Sequence, residues 1–244
     1  VLYEAARQPA VRAVYGLRHG IRGLLAEDWQ SLDGRDPRLI AGLRATPSAA
    51  LGSARHRLDN TEIAQALAVL RRHDVRFLLL IGGNDSADTA ARLAEAALLA
   101  GYPLQAVAVP KTIDNDLPAT DHCLGYGSIA RYVAVATAEA VLDTAAMRQT
   151  DPVKLIEVMG RYAGWVAAAA TLAPLPAGLP PPLVYVPERP VAAEQVLADV
   201  EAAYRADNQV VVVLSENQTE PSPQGPRVLG ADGEPEWVDA FGHP

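Results

Sequence analysis

The chain reads as an α/β protein built on mostly parallel sheets, and two observations predict this. Short aliphatic runs alternate with longer stretches of helical periodicity, the pattern of repeated βα units. Polar clusters close four of those runs, at residues 82–86, 111–116, 159–161 and 215–216. Right-handed crossovers bring the carboxyl ends of parallel strands to one edge of a sheet, where open α/β sheets bind ligands.

In chain order, residues 1–12 read as a helix, with Leu2, Ala5 and Ala6 at helical spacing, and the chain begins without Met or a capping residue. Residues 13–16 form a short strand, and 36–43 a short helix. Residues 46–57 are a loop of small residues carrying Arg55 and Arg57. Two readings stay open for it: a phosphate cradle of outward N–H groups, or a plain loop with surface arginines. Residues 60–73 make an amphipathic helix, with Ile63, Leu67 and Leu70 on one face. The aliphatic run 75–81 is a buried parallel strand feeding Gly82-Gly83, and Asn84-Asp85-Ser86 opens a helix to about Ala100. Strand, glycines and helix start together form an anion-binding arrangement, although many βα turns share it.

The next run, 106–109, delivers Pro110-Lys111-Thr112-Ile113-Asp114-Asn115-Asp116. On an extended segment the i, i+2 spacing puts Asp114 and Asp116 on one side. Two adjacent carboxylates repel unless a metal ion or a proton lies between them. A polar turn is the alternative. Residues 129–148 form a long helix rich in Ala and Val. Strand 153–158 then leads through Met159-Gly160-Arg161-Tyr162-Ala163-Gly164-Trp165 into another helix. The five prolines of 174–182 mark a surface connection. Strand 183–186, helix 194–206 and strand 209–214 complete the alternation, and the last strand ends at Ser215-Glu216. The residues alone leave Arg161 open between a surface arginine at a helix start and a ligand, and Glu216 between a solvated strand-end carboxylate and a ligand.

Composition narrows the function. The 244 residues are 50% hydrophobic and 20% charged, ordinary for a globular protein. A net charge of −8 argues against general nucleic-acid binding but not against a phosphate ligand met by local cations. The single Cys123 rules out an intramolecular disulfide. No unbroken apolar run approaches the ~18 residues a membrane span needs, and no signal peptide is evident, so a cytoplasmic location is expected.

Pro110-Lys111-Thr112-Ile113-Asp114-Asn115-Asp116, Gly82-Gly83-Asn84-Asp85-Ser86 and Glu157-Val158-Met159-Gly160-Arg161-Tyr162-Ala163-Gly164-Trp165 together resemble the 6-phosphofructokinase family, and Ser215-Glu216 and Phe241-Gly242-His243 fit its later motifs. The likeness is to the pyrophosphate-dependent branch, because ATP-dependent members generally have glycine where this chain has Asp85 and Lys111. A carboxylate at Asp85 would repel the α-phosphate of a nucleotide, while Lys111 sets a cation against a compact anion that has no adenine to bury.

The resemblance implies two Rossmann-like three-layer α/β/α domains, a phosphoryl-donor domain at 1–127 and a fructose 6-phosphate domain at 128–244, truncated at both ends. It implies reversible phosphoryl transfer from pyrophosphate to the 1-hydroxyl of fructose 6-phosphate, with Mg²⁺, in a homodimer or homotetramer. Asp114 matches the general base. Lys111 and Thr112 face the transferring group. Arg161 meets the sugar substrate or the developing charge, with Met159 and Gly160 shaping that pocket and Glu216 binding the sugar. Gly83, Asn84, Asp85, Ser86 and Arg55 would hold the donor, and Asn84 and Asp116 the metal. His243 falls where the family often contacts the sugar phosphate. Position 84 is Asn where many members have a metal-binding Asp, so a carbonyl oxygen replaces a charge there. The family's opening strand and Gly-rich phosphate loop are expected before this chain, and further strands and helices after it.

Overall fold

The structure, a computed structural model, describes residues 1–32, 36–46 and 48–216, with two short strands at 228–229 and 235–236. The chain divides into two compact units, Val1–Val109 and Pro110–Pro244. This division falls ahead of the functional boundary expected at 127/128, and leaves the whole 110–116 motif in the second unit.

The first unit opens with α1 (Leu2–Ala5), β1 (Tyr15–Leu17), α2 (Ile21–Ala26) and β2 (Trp29–Ser31). The helix expected over 1–12 stops at Ala5. Pro9 lies ahead, and proline disfavours helical geometry in the residue before it as well as removing its own N–H. β1 and β2 pair antiparallel, Gly16 opposite Gln30.

Next come α3 (Pro37–Ala45), α4 (Asn60–Arg72), β3 (Phe77–Gly82), α5 (Asn84–Leu99) and β4 (Gln105–Thr112). Asp36 caps α3 by accepting the N–H of Arg38, with Pro37 in the first turn, where the missing N–H costs nothing. α4 starts in a capping box. Asp59 accepts the Glu62 N–H at 2.8 Å, and the Glu62 carboxylate accepts the Asp59 N–H at 3.0 Å.

Ile63, Leu67 and Leu70 of α4 join Leu24, Leu58, Leu78 and Leu93 in the core of this unit. The face expected for α4 is therefore the buried one. β3 departs from expectation. Leu78 is 6% exposed, but Phe77 and Ile81 are 58% and 59% exposed. The strand buries one face only, packing against α5, and its continuous apolar sequence could not show which side would be covered.

The second unit contains the end of β4, then β5 (Leu124–Gly125), α6 (Tyr126–Ala146), β6 (Val153–Val158), α7 (Trp165–Ala168), a 3₁₀ turn at Ala169–Leu172, β7 (Leu183–Tyr185), α8 (Ala193–Asp207) and β8 (Val210–Ser215), with β9 (Val228–Leu229) and β10 (Pro235–Glu236) pairing antiparallel. α6 begins three residues ahead of the expected 129. β6, β8 and β7 form a parallel sheet in that order. Central β8 is buried through Val210–Val213, as a strand flanked on both edges should be. Val133 and Val141 of α6, with Val166 and Ala167 of α7, pack on Val211 and Val213.

Parallel pairing in this register sets Val158 opposite Ser215, so the residues following β6 and β8 emerge side by side. In the same way Lys111 and Thr112 at the end of β4 pair with Leu124 and Gly125. Among the described residues no helix is long and apolar enough to cross a membrane.

Candidate functional site

In the first unit, β3 runs directly into α5 through Gly82 and Gly83. The N–H groups of Ser86 and Ala87 both donate to the Gly83 carbonyl at 3.1 Å, so the chain turns into the helix within one residue. A Cβ at Gly82 would lie 2.1 Å from Ser86 Oγ, and only glycine permits that closeness. Gly83 has no side chain to cap α5, and the first N–H groups of a helix lie outside its own hydrogen-bond ladder. Asn84 and Asp85 stand exposed in this first turn. The strand–glycine–helix arrangement read from the sequence is therefore formed.

Of the 46–57 segment, residues 48–57 run without regular structure, and Arg55 is exposed there. Arg57, at its end, places Nε 4.0 Å from Asp88 Oδ2 of α5. Arg92 donates to the Leu58 carbonyl and to Asn60 Oδ1, tying the segment's exit to the same helix.

The second unit gathers the remaining candidates. Beyond β4 the Asp114 N–H donates to Thr112 Oγ1 at 3.2 Å, bending the chain at once. Asn115 then adopts φ 58°, a left-handed conformation that Asn tolerates better than most residues. The segment is thus a turn at its centre rather than the extended stretch implied by i, i+2 spacing. The turn is fixed by Asn115 itself: its Oδ1 accepts the Cys123 N–H at 2.8 Å, and its Nδ2 donates to the Asp121 carbonyl at 3.4 Å. A polar turn is the alternative reading of this stretch from sequence, without any statement of which side chain closes it. An Asn between two Asp residues just past a strand was the available signal, since Asx side chains bridge tight turns.

Asp114 is the electrostatic centre. Burial raises its carboxyl above its ordinary value, and the charges of Asp116 and then Glu216 raise it further, while the Thr112 hydroxyl and the Lys111 cation pull the other way. One of its carboxylate oxygens, Oδ1, is buried with no hydrogen-bond partner among the described residues. Burial and like charges both disfavour the ionised form, which gives this carboxyl a proton affinity suited to acid–base work.

Glu216 follows β8. Its N–H donates to the Val158 carbonyl at 3.0 Å, continuing the ladder one residue past the strand. Its Oε1 accepts the Gly160 N–H at 3.3 Å. Gly160 has φ 129°, and a Cβ there would come within 2.4 Å of the Ala163 carbonyl oxygen. Glycine is therefore required, and it curls the loop so that exposed Met159 and half-buried Arg161 flank it. Lys111, Thr112, Asp114, Asp116, Gly160 and Glu216 are so brought together in this unit. Gly83, Asn84, Asp85, Ser86 and Arg55 belong to the first unit, and His243 lies outside the described residues.

Among the described residues no group of three or more His, Cys, Asp or Glu could hold a metal ion. A single carboxylate with phosphate oxygens is a donor set suited to Mg²⁺, which keeps much of its shell as water and substrate.

Comparison with known proteins bears on this site. The phosphofructokinase family model matches residues 2–232. The pyrophosphate–fructose 6-phosphate 1-phosphotransferase of Halomonas elongata is 42% identical over 248 residues, covering 98% of this chain and 58% of the relative. The protein of the same name from Xanthomonas campestris is 44% identical, covering 94% of this chain and 55% of the relative. The crystal structure of a pyrophosphate-dependent phosphofructokinase from Nitrosospira multiformis matches with TM-score 0.79 and 40% identity, over 90% of this chain and 56% of that one. The chain thus spans little more than half the length of the relatives it matches. With the family's motifs in place at the strand ends and the match running through both compact units, the chain belongs to the phosphofructokinase family.

Proposed function

We propose that the protein transfers a phosphoryl group between pyrophosphate and the 1-hydroxyl of fructose 6-phosphate, reversibly, giving fructose 1,6-bisphosphate and phosphate. The observation that carries this reading is the protonation environment of Asp114, a carboxyl raised by burial and by neighbouring carboxylates beside the Lys111 cation. As general base, Asp114 takes the proton from the sugar 1-hydroxyl as that oxygen bonds to phosphorus. The bridging P–O bond of pyrophosphate breaks, and phosphate leaves.

Lys111 and Thr112 face the transferring group. Arg161, flanked by Met159 and Gly160, meets the sugar substrate or the developing charge, and Glu216 binds the sugar. Asp116 would hold Mg²⁺, which when bound neutralises phosphate charge; the assignment of Asn84 to the same ion rests on the family resemblance. Gly83, Asn84, Asp85, Ser86 and Arg55 would hold pyrophosphate. Residues 1–127 serve the donor and 128–244 the sugar phosphate, within a cytoplasmic homodimer or homotetramer acting in glycolysis and gluconeogenesis.

The choice of pyrophosphate is supported by Asp85 and Lys111 and by the names of the relatives. The alternatives are an ATP-dependent 6-phosphofructokinase and a non-catalytic subunit. A coupled assay with each donor separates them. Turnover is expected with pyrophosphate; turnover with ATP alone selects the kinase, and turnover with neither, alongside retained fructose 6-phosphate binding, selects the non-catalytic reading.

A further inference from the structure

The loop joining β6 to α7 bears Arg161, and it is fixed at both ends by carboxylates from elsewhere in the second unit. At its start, Glu216 accepts the Gly160 N–H. At its end, Glu188 Oε1 accepts the Gly164 N–H at 2.8 Å. Gly164 is buried, and a Cβ there would lie 2.4 Å from Val186 Cβ and 2.7 Å from Glu188 Oε2, so the loop presses directly on the exit of β7. Glu188 is itself held in a turn closed by the Arg189 N–H on the Val186 carbonyl at 3.0 Å.

The sheet order makes these contacts informative. β6 and β7 are not neighbours, because β8 lies between them. The 159–164 loop therefore reaches across the end of β8, where Glu216 emerges, and ends on β7. Between its two anchors, the Ala163 carbonyl packs over Gly160, so the backbone that carries Arg161 and Tyr162 is closed on itself. Glu216 is already assigned to the sugar; Glu188 has no such role. A hydrogen bond to an ionised acceptor is stronger than a neutral one, and this one meets a buried N–H that would otherwise be unpaired.

We propose that Glu188 is a positioning residue that fixes the backbone of the Arg161 loop and so sets the affinity for the sugar phosphate. This rests on the phosphotransferase reading above only for its kinetic consequence.

Two variants in the intact protein test it. Glu188→Ala should raise KM for fructose 6-phosphate roughly five- to tenfold, the effect of one well-placed hydrogen bond, with KM for pyrophosphate unchanged. Amide exchange of residues 160–164, followed by mass spectrometry, should accelerate by a similar factor. Glu188→Gln, whose amide oxygen can still accept the Gly164 N–H, should restore both. The proposal is overturned if exchange of 160–164 is unchanged in Glu188→Ala, if both KM values rise together, if only the melting temperature falls, or if Glu188→Gln restores neither. Should the unmodified protein show no pyrophosphate turnover, the phosphotransferase reading fails, and the exchange comparison, which needs no turnover, decides the positioning role by itself.

Discussion

The carboxylate of Glu216 accepts the N–H of Gly160 at 3.3 Å, while its own N–H donates to the carbonyl of Val158. One residue thus fastens the end of β8 to the end of β6 through side chain and backbone together. The same carboxylate lies close enough to Asp114 to raise its proton affinity. Loop geometry and the proposed base are coupled through this residue, the one proposed to bind the sugar.

Asp114→Asn is the most direct test of the base. It should lower kcat by about 10²- to 10⁴-fold, the usual contribution of general base catalysis. The same change should stabilise the protein. A carboxyl raised above its ordinary 3.8 in the folded state contributes stability that is lost as pH rises through the folded value, so at pH 7 ionised Asp114 opposes folding. A rise in melting temperature at pH 7 with loss of turnover is expected, and a fall in melting temperature would count against the electrostatic account.

Lys111 lowers the Asp114 carboxyl. Lys111→Ala should therefore move the acid limb of the pH–rate profile to higher pH, because more of Asp114 stays protonated at a given pH. The profile of kcat/KM measures this. A limb that stays in place would show that Asp114 does not set it. Lys111→Gly combined with Asp85→Gly should weaken pyrophosphate use, read as KM and kcat with each donor.

Gly160→Ala puts a Cβ against the Ala163 carbonyl at a φ of 129°, which L side chains rarely adopt. Such strain costs on the order of 1–3 kcal/mol. The melting temperature should fall, and KM for fructose 6-phosphate should rise more than KM for pyrophosphate. Differential scanning calorimetry and steady-state kinetics measure the two effects.

These sites were readable to different depths. The strand ends stood out because an aliphatic run that stops at glycines or at charges has little other use, and the loops at 82–86 and 159–161 formed as read. The meeting of Glu216 with Gly160 was not readable, since it depends on β6 pairing with β8 in register, a contact between residues far apart in sequence. β2 and β5 have three and two residues, too few for periodicity to register. The exposed face of β3 was hidden for another reason: Phe77, Leu79 and Ile81 are as apolar as the buried Leu78, and burial is decided by what lies over a strand rather than by its composition.

Tyr185 offers a separate test at alkaline pH. Burial, followed by its hydrogen bond to Asp199 at 2.8 Å and the charge of that residue, pushes its hydroxyl up to about 12. Because the folded value is raised, the associated stability is present below about pH 10 and is lost between there and about 12. Tyr185→Phe should remove this component, so that its melting temperature falls less steeply than that of the unmodified protein over the same range.

Cys123 is fully buried, and its N–H closes the turn on Asn115. It is also the chain's one sulfhydryl. Within this chain a thiol reagent therefore has a single target, and that target is buried. The rate at which a chromogenic disulfide labels it becomes a clock for breathing of the segment that bears Asp114, and slower labelling on addition of a ligand would report closure there without any engineered probe.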